Sequence, residues 1–573
     1  MPEYLSPGIY IEEFDSGPVP IGGVGTSTAG FIGLAQRGVT EGLPELVTSY
    51  ADFQRQFGGY LSEKVFGVNR FLAYSVEQFF MNGGSRCYVM RVVPEDAKKA
   101  KKEIGDKIEI EAVNSGAWGD RITVVVRPSF KGKSPIVEDV SADGKGKYKF
   151  KTTAGFNEGD IITLTQDDDK QVRKIEFVQD GYVTINEPFT GDVVDTNIVP
   201  KILIYTSEVT VQVSYGDEVE EYENVGLNTN ATNFVTTAAS RSNLVSVSIA
   251  EGIDDEIVEP FATLGGEGDK LVLNLSSGSD GSMDKVTPDT FTGADLGPGK
   301  RTGIMSFIDN DEVAIMAVPG ITDPAVQVAL VGHCENTTSR FAVLDIEKEV
   351  KKVNDVKQAR SLFDSTYAAV YHPWLKINDP LEKKTVSVPP SGAMLGIYGR
   401  TDNTRGVHKA PANEIVRGCI GLDCQYNKGE QDILNPIGVN LIRFFPGQGI
   451  RVWGARTLSS NALWRYINVR RLFIFLEQSV KVSTNWVVFE PNDENLWGRV
   501  RRSLYNFLEG VWRTGALVGS TPDEAFFVKV DRTTMTQDDI DNGRLICIIG
   551  VAPVKPAEFV IFKFTQKTAG GED

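Results

Sequence analysis

At 573 residues the chain is longer than one hydrophobic core usually organises, so three or four domains are the starting expectation. Hydrophobic residues make up 41% and charged residues 24%, an ordinary balance for a folded soluble protein, and no apolar run approaches the ~20 residues that cross a bilayer. A formal net charge of −18 argues against a general nucleic-acid binder, which needs clustered Lys and Arg to neutralise phosphate.

The opening Met1-Pro2-Glu3-Tyr4-Leu5-Ser6-Pro7 lacks the basic start and apolar segment of a secretory signal, so synthesis in the cytoplasm is expected. Residues 1–25 read as an extended arm. Pro2, Pro7, Pro18 and Pro20 oppose a helix, while Gly8-Ile9-Tyr10-Ile11-Glu12-Glu13 has the character of a single strand. A lone strand cannot stabilise itself and must join a sheet, its own or a neighbour's.

Residues 26–128 read as an α/β unit. Thr28-Ala29-Gly30-Phe31-Ile32-Gly33 is a buried strand, and a helix over 69–82 lines up Phe71, Leu72, Ser75 and Phe79 before Gly83-Gly84 stops it. Cys87-Tyr88-Val89-Met90-Arg91 is the next core strand. Alternation then marks strands at 108–113 and 122–126, and again at 208–213. Between them, 132–203 reads as a small β insertion with turns of its own, among them Asp167-Asp168-Asp169. Residues 300–380 alternate strand and helix: a strand at 313–318, a helix over 325–335, a strand at 341–345. Two helices follow, over about 460–479 and from Pro491 to Gly515.

No template for chemistry fits. Gly297-Pro298-Gly299-Lys300-Arg301-Thr302 lacks the spacing of a phosphate loop, and there is no nucleophile elbow and no HExxH. Asp254-Asp255-Glu256 and Asp167-Asp168-Asp169 lack the regular spacing of a calcium loop and read as solvated turns. Five cysteines (Cys87, Cys334, Cys419, Cys424, Cys547) form no metal-knuckle pattern and read as free thiols, and three scattered histidines suggest no metal site. Neither a catalytic centre nor a cofactor is expected.

Charge is unevenly spread. Residues 441–515 hold 11 basic and 5 acidic side chains, a local excess of +6 in a chain of −18. On the second helix Trp497, Val500, Leu504, Leu508 and Val511 form an apolar stripe, and Arg499, Arg502, Asn506, Glu509 and Arg513 form the opposite face. The first helix adds Arg465, Arg470 and Arg471. A partner surface of opposite sign is one reading of this excess, and a solvated basic face is the other. The chain ends in Phe559-Val560-Ile561-Phe562-Lys563-Phe564, apolar on both faces of a strand, and such a strand aggregates unless it is paired.

The C-terminal third carries a series of short motifs. Pro389-Pro390-Ser391-Gly392-Ala393-Met394-Leu395-Gly396 leads through Gly399-Arg400-Thr401-Asp402 to Val407-His408-Lys409-Ala410-Pro411. Then come Val452-Trp453-Gly454-Ala455-Arg456, Tyr466-Ile467-Asn468-Val469-Arg470-Arg471, Phe489-Glu490-Pro491-Asn492 and Pro553-Val554-Lys555-Pro556-Ala557-Glu558-Phe559. In this order and at these separations the run resembles the tail sheath family of contractile phage tails and phage-tail-like contractile injection systems. The resemblance is dense over 385–567, fainter through 4–91 and Trp118-Gly119-Asp120, and leaves out the insertion. His408 stands where the family more often has an aromatic, and Ser277-Gly278-Ser279-Asp280-Gly281 is a loosened form of a Gly-Gly-x-Asp-Gly turn.

The resemblance implies a non-enzymatic structural subunit that polymerises as stacked hexameric rings around an inner tube and contracts. Its partners would be neighbouring copies, the inner tube, and baseplate and terminal cap proteins, with no direct nucleic-acid contact and no membrane insertion. It would be made in the cytoplasm and assembled into a virion, extracellular or cell-anchored particle. The alternative is an exported surface-layer or adhesin-like structural protein. The expected fold is α+β or mixed α/β and multidomain. A linker arm (1–25) precedes a sheath domain (26–131 with 204–300) that carries the inserted peripheral β domain (132–203). An α/β part of the core (301–384), a C-terminal core domain (385–556) and a second arm (557–573) follow. Ile9, Tyr10, Ile11, Phe559, Val560, Ile561, Phe562 and Phe564 are the expected subunit-linking residues, and Arg499, Arg502, Asn506 and Arg513 the candidate inner-tube contact.

Overall fold

Residues 29–33 are buried at every position, as a strand covered on both faces must be. In the computed structural model this strand, Ala29–Gly33, runs parallel between Cys87–Arg91 and Ile315–Ala317. The structure describes residues 20–563 except 106, 143, 167–168, 195–201 and 251–258; the side chains of 166 and 169 are likewise not described. Ile9, Tyr10, Ile11, Phe564, Asp167, Asp168 and Asp254-Asp255-Glu256 therefore lie outside the described residues.

The chain forms two compact units, one built from residues up to 35, 39–92 and 288 onward, the other from 36–38 and 93–287. The first is organised by an eight-stranded sheet. Its strand order is Glu45–Val47, Cys87–Arg91, Ala29–Gly33, Ile315–Ala317, Phe341–Asp345, Ala368–His372, Val439–Phe445 and Gly449–Val452. The six inner strands are parallel, and an antiparallel strand closes each edge. Parallel neighbours need crossover connections, here the helices Leu72–Met81, Pro324–Thr337, Val353–Arg360 and Ser391–Arg405. Two of these meet backbone to backbone. A Cβ at Gly392 would lie 2.3 Å from the Ser75 carbonyl oxygen, and one at Gly396 2.3 Å from that of Phe79. The Gly392/Gly396 spacing puts both glycines on one helix face, which is what lets Ser391–Arg405 lie directly on Leu72–Met81.

A buried carboxylate sits at the start of that helix. Asp345 ends the strand Phe341–Asp345 and accepts hydrogen bonds from the Gly320 amide (3.0 Å), the Ser391 amide (3.0 Å) and the Ser391 hydroxyl (2.7 Å). Burial outweighs these three donors and pushes its pKa from 3.8 up to about 6. The folded protein thus holds this proton more tightly than the unfolded chain, so Asp345 favours folding below about pH 4 and loses that contribution as pH rises to about 6. Asp345→Asn has no such proton to lose. Its destabilisation relative to the parent should be larger at pH 4 than at pH 7, by up to about 3 kcal/mol at about 1.4 kcal/mol per unit. Urea unfolding of both proteins at the two pH values measures the difference, and a gap that does not narrow with pH contradicts the assignment.

The sheet redraws the expected domain grouping. Residues 26–35 and 39–92 belong with 288 onward, not with 204–287, because their central strand needs Ile315–Ala317 beside it. Nor do 301–384 and 385–556 stand apart, since Ala368–His372 pairs with Val439–Phe445 in one sheet. The C-terminal part has a core of its own. The helix Glu494–Arg513, capped by Asp493 accepting from the Leu496 amide (2.8 Å), buries Trp497, Val500, Leu504, Leu508 and Val511. They pack with Leu472, Leu476, Leu517 and Phe526.

The second unit is β-rich. A four-stranded antiparallel sheet (Glu218–Val225, Glu208–Tyr215, Thr123–Ser129, Leu271–Asn274) and a three-stranded one (Val245–Ile249, Ile108–Ala112, Lys101–Ile104) share a core with Trp118. Residues 133–206 carry a separate seven-stranded antiparallel sheet around Tyr148, Phe150, Ile162 and Leu164, with their own apolar cluster.

Candidate assembly surfaces and the roots of the terminal arms

Two of the basic residues on the first C-terminal helix are not offered to a partner. That helix spans Ile467–Ser483, so it starts later than the expected 460, and Ala462 is exposed in a short turn ahead of it. Arg470 and Arg471 are both buried. Arg470 lies over the Trp464 ring at 3.9 Å and the Tyr367 ring at 4.7 Å. Arg471 pairs with the buried Asp402 at 2.6 Å and faces the Tyr398 ring at 4.7 Å. Arg456 is buried as well, so part of the basic excess is internal structure.

On Glu494–Arg513 the expected polar face is more open, and its members differ. Arg499 pairs with Glu490 (3.2 Å) and covers the Trp486 ring (4.7 Å), and Arg513 pairs with Glu509 (2.6 Å) one turn back. Arg502 and Asn506 are exposed, as is Arg501, which the sequence reading passed over. Arg501 and Arg502 make no ion pair among the described residues.

The described part of the C-terminal segment 559–563 forms no strand in this chain. Phe559, Val560, Ile561 and Phe562 are 73%, 68%, 79% and 77% exposed, so among the described residues four consecutive apolar side chains are largely uncovered. Immediately before them the chain is held firmly. Val554 donates its amide to the Ala516 carbonyl (3.1 Å) and accepts from Asn468 Nδ2 (3.2 Å). Glu558 accepts four hydrogen bonds: from Arg456 Nε (2.9 Å) and Nη2 (2.7 Å), Asn435 Nδ2 (2.7 Å) and the Tyr466 hydroxyl (2.9 Å). Together these donors outweigh burial and hold the Glu558 carboxyl below its usual range.

The first described residues are held in a similar way. Ile21 packs against the C-terminal core, and Val24 donates its amide to the Ser479 hydroxyl (3.1 Å). Thr26 donates its hydroxyl to Asp402 (2.6 Å), and its carbonyl accepts from Arg471 Nη2 (2.9 Å). Asp402, Arg456, Tyr466 and Glu558 stand inside the sequence motifs with no expected role, and Arg471 is expected only as part of the basic excess. A charge inside an apolar motif signals a buried pair, but not which opposite charge completes it.

Comparison with known proteins places these segments. The phage tail sheath protein central domain matches residues 294–458, and the phage tail sheath C-terminal domain matches 459–567. The tail sheath protein of Vibrio phage KVP40 is 25% identical over 212 residues, 36% of this chain and 31% of that protein. The tail sheath protein of Escherichia phage P2 is 27% identical over 205 residues, 34% of this chain and 50% of its own length. The chain thus spans a third to a half of these two relatives. Among solved structures, the sheath complex of the extracellular contractile injection system PVC, in the contracted state, aligns over 99% of both chains with a TM-score of 0.55 at 21% identity, a likeness of fold.

Proposed function

We propose that the chain is a member of the phage tail sheath family and the structural subunit of a contractile sheath, a reading supported by the match of residues 294–567 to the central and C-terminal domains of that family. Copies polymerise as stacked hexameric rings around an inner tube, and contraction drives that tube through a target envelope. The observation that carries the reading is the bare apolar run at 559–562, leaving a firmly held root in a chain with both sheath domains. An exposed run of this kind fits strand addition to a neighbour's sheet, where backbone bonds supply affinity and alternate side chains fill pockets. Ile9, Tyr10 and Ile11 serve the same purpose at the other end.

The remaining partners follow from the assembly: the inner tube inside, a baseplate at one end and a terminal cap at the other. The energy of contraction is stored in a metastable lattice of folded subunits, so no catalytic step is assigned to the sheath. Residues 133–206, with a sheet and core of their own, serve as a peripheral domain. Electron microscopy of the purified protein tests the reading. Hollow tubes of stacked six-fold rings are the expected result, and a protein that stays monomeric at high concentration overturns it.

The inner-tube contact is proposed for the polar face of Glu494–Arg513 that carries Arg499, Arg502, Asn506 and Arg513, with the exposed Arg502 and Asn506 at its centre. Exposed ion pairs contribute only about 0–1 kcal/mol each, so such contacts hold by repetition and release singly. Reversing Arg499 and Arg502 to Glu should leave the melting curve of the subunit within about 1 kcal/mol of the parent, since the one pair lost, Arg499 with Glu490, is partly exposed. The sheaths formed should be empty or already contracted. Extended, tube-filled particles with unchanged salt sensitivity would rule out this assignment, and a variant that forms no polymer in either state would move the arginines to a contact between sheath neighbours.

A further inference from the structure

Resting on that reading, we infer that the helix Ile467–Ser483 is the common mount of both terminal arms, with Asp402 and Glu558 as the positioning carboxylates that hold the two roots to it. The N-terminal root is bound along the helix at Arg471 and Ser479, through Thr26 and Val24. The C-terminal root is bound at its beginning, where Tyr466 precedes the first turn and holds Glu558, and Asn468 holds the Val554 carbonyl. Asn468 and Arg471 are three residues apart, about 4.5 Å of rise at 1.5 Å per residue. A pull on one arm therefore reaches the other root through less than one helical turn.

The mount is stiff where it is gripped. Ile467, Asn468, Val469, Arg470, Arg471 and Leu472 are consecutive and all buried. Both grips are charge-assisted, the strongest ordinary class of hydrogen bond. Asp402 and Arg471 are joined by two contacts of 3.0 and 2.6 Å, and Glu558 takes both Nε and Nη2 of Arg456. Arg456 is in turn tied to the sheet, since Asn440 of Val439–Phe445 accepts its backbone amide (2.7 Å) and donates to its carbonyl (2.8 Å). Beyond Glu558 the next four side chains are exposed. An arm peeled from its own subunit under load would stop peeling at Glu558, leaving the pairing with the neighbour to carry the strain.

The test separates the mount from the sheath reading. Hydrogen exchange on the soluble parent and Glu558→Gln subunits reads the root without any polymer. Exchange at the Val554 amide should accelerate in the variant more than exchange across Ile467–Ser483, on top of the loss of overall stability that follows from leaving the buried Arg456 guanidinium without its carboxylate. In polymers, Glu558→Gln should still form extended sheaths but yield short fragments when contraction is triggered by urea, where the parent gives continuous contracted sheaths. The charge swap Arg456→Glu with Glu558→Arg should restore the continuous form. Should Glu558→Gln fold poorly, Tyr466→Phe removes one of the four bonds without stranding a charge, and should shift exchange at Val554 in the same direction. Unchanged exchange at Val554 in both variants, or contracted Glu558→Gln sheaths as continuous as the parent's, overturns the inference. A parent that forms no tubes overturns the sheath reading instead, and the exchange result still decides whether Glu558 holds the root.

Discussion

A chain ending at Glu558 is expected to fold, remain soluble and fail to form long tubes. The residues lost include Phe559, Val560, Ile561 and Phe562, each more than two-thirds exposed in the single chain, so their removal uncovers little of the core. Keeping Glu558 matters, because a cut before it would leave the buried Arg456 guanidinium without its carboxylate. The fold of the subunit should therefore be nearly unchanged, and the defect confined to assembly. Apolar strand-prone runs left uncovered promote uncontrolled association, so the truncated protein should also aggregate less than the parent on concentration. Sedimentation and negative-stain microscopy check both points. Tubes of normal length from the truncated chain would remove the C-terminal arm from the assembly mechanism.

The second large effect is on folding. In Arg471→Met the buried Asp402 carboxylate loses its ion pair while still accepting the Thr26 hydroxyl; the Arg471 and Asp402 side chains are only 3% and 4% exposed. Breaking one side of a buried pair costs about 3–5 kcal/mol, because the remaining charge stays desolvated. Against a total stability of about 5–15 kcal/mol that is a large fraction, so the urea midpoint should fall steeply. Methionine roughly retains the volume of the arginine stem, so little of the loss should come from packing. Adding Asp402→Leu should recover much of it, since a matched buried pair can often be exchanged for apolar groups. A midpoint for Arg471→Met equal to the parent's would show that the pair contributes nothing to the fold.

What was legible in the sequence, and what was not, divides by range. Trp497, Val500, Leu504, Leu508 and Val511 recur at helical spacing, and all five are buried on Glu494–Arg513. Hydrophobic periodicity is local, so a short window determines both the element and its buried face. The cap of that helix is equally local, Asp493 accepting from the Leu496 amide three residues on. The order of motifs from Pro389 to Phe559 likewise pointed to the family from sequence alone.

Arg470 and Arg471 mark the limit. Local pattern assigns two adjacent arginines to a solvated face, yet both are buried, one over aromatic rings and the other against Asp402, 69 residues away. The same holds for Glu558, whose partner Arg456 is 102 residues distant, and for Ala29–Gly33, whose neighbour Ile315–Ala317 lies far along the chain. Burial of a charge is settled by whether an opposite charge arrives from elsewhere, and the place of a parallel strand by which crossover packs beside it. Such pairings depend on long-range closure of the chain, which no local window contains. Local pattern was enough for the resemblance to the tail sheath family and for the buried faces of elements such as Ala29–Gly33 and Glu494–Arg513. Which strands share a sheet, which arginines are internal, and that Thr26 and Val554 both bond to the helix Ile467–Ser483 emerge only from the folded chain, because each depends on contacts between distant residues.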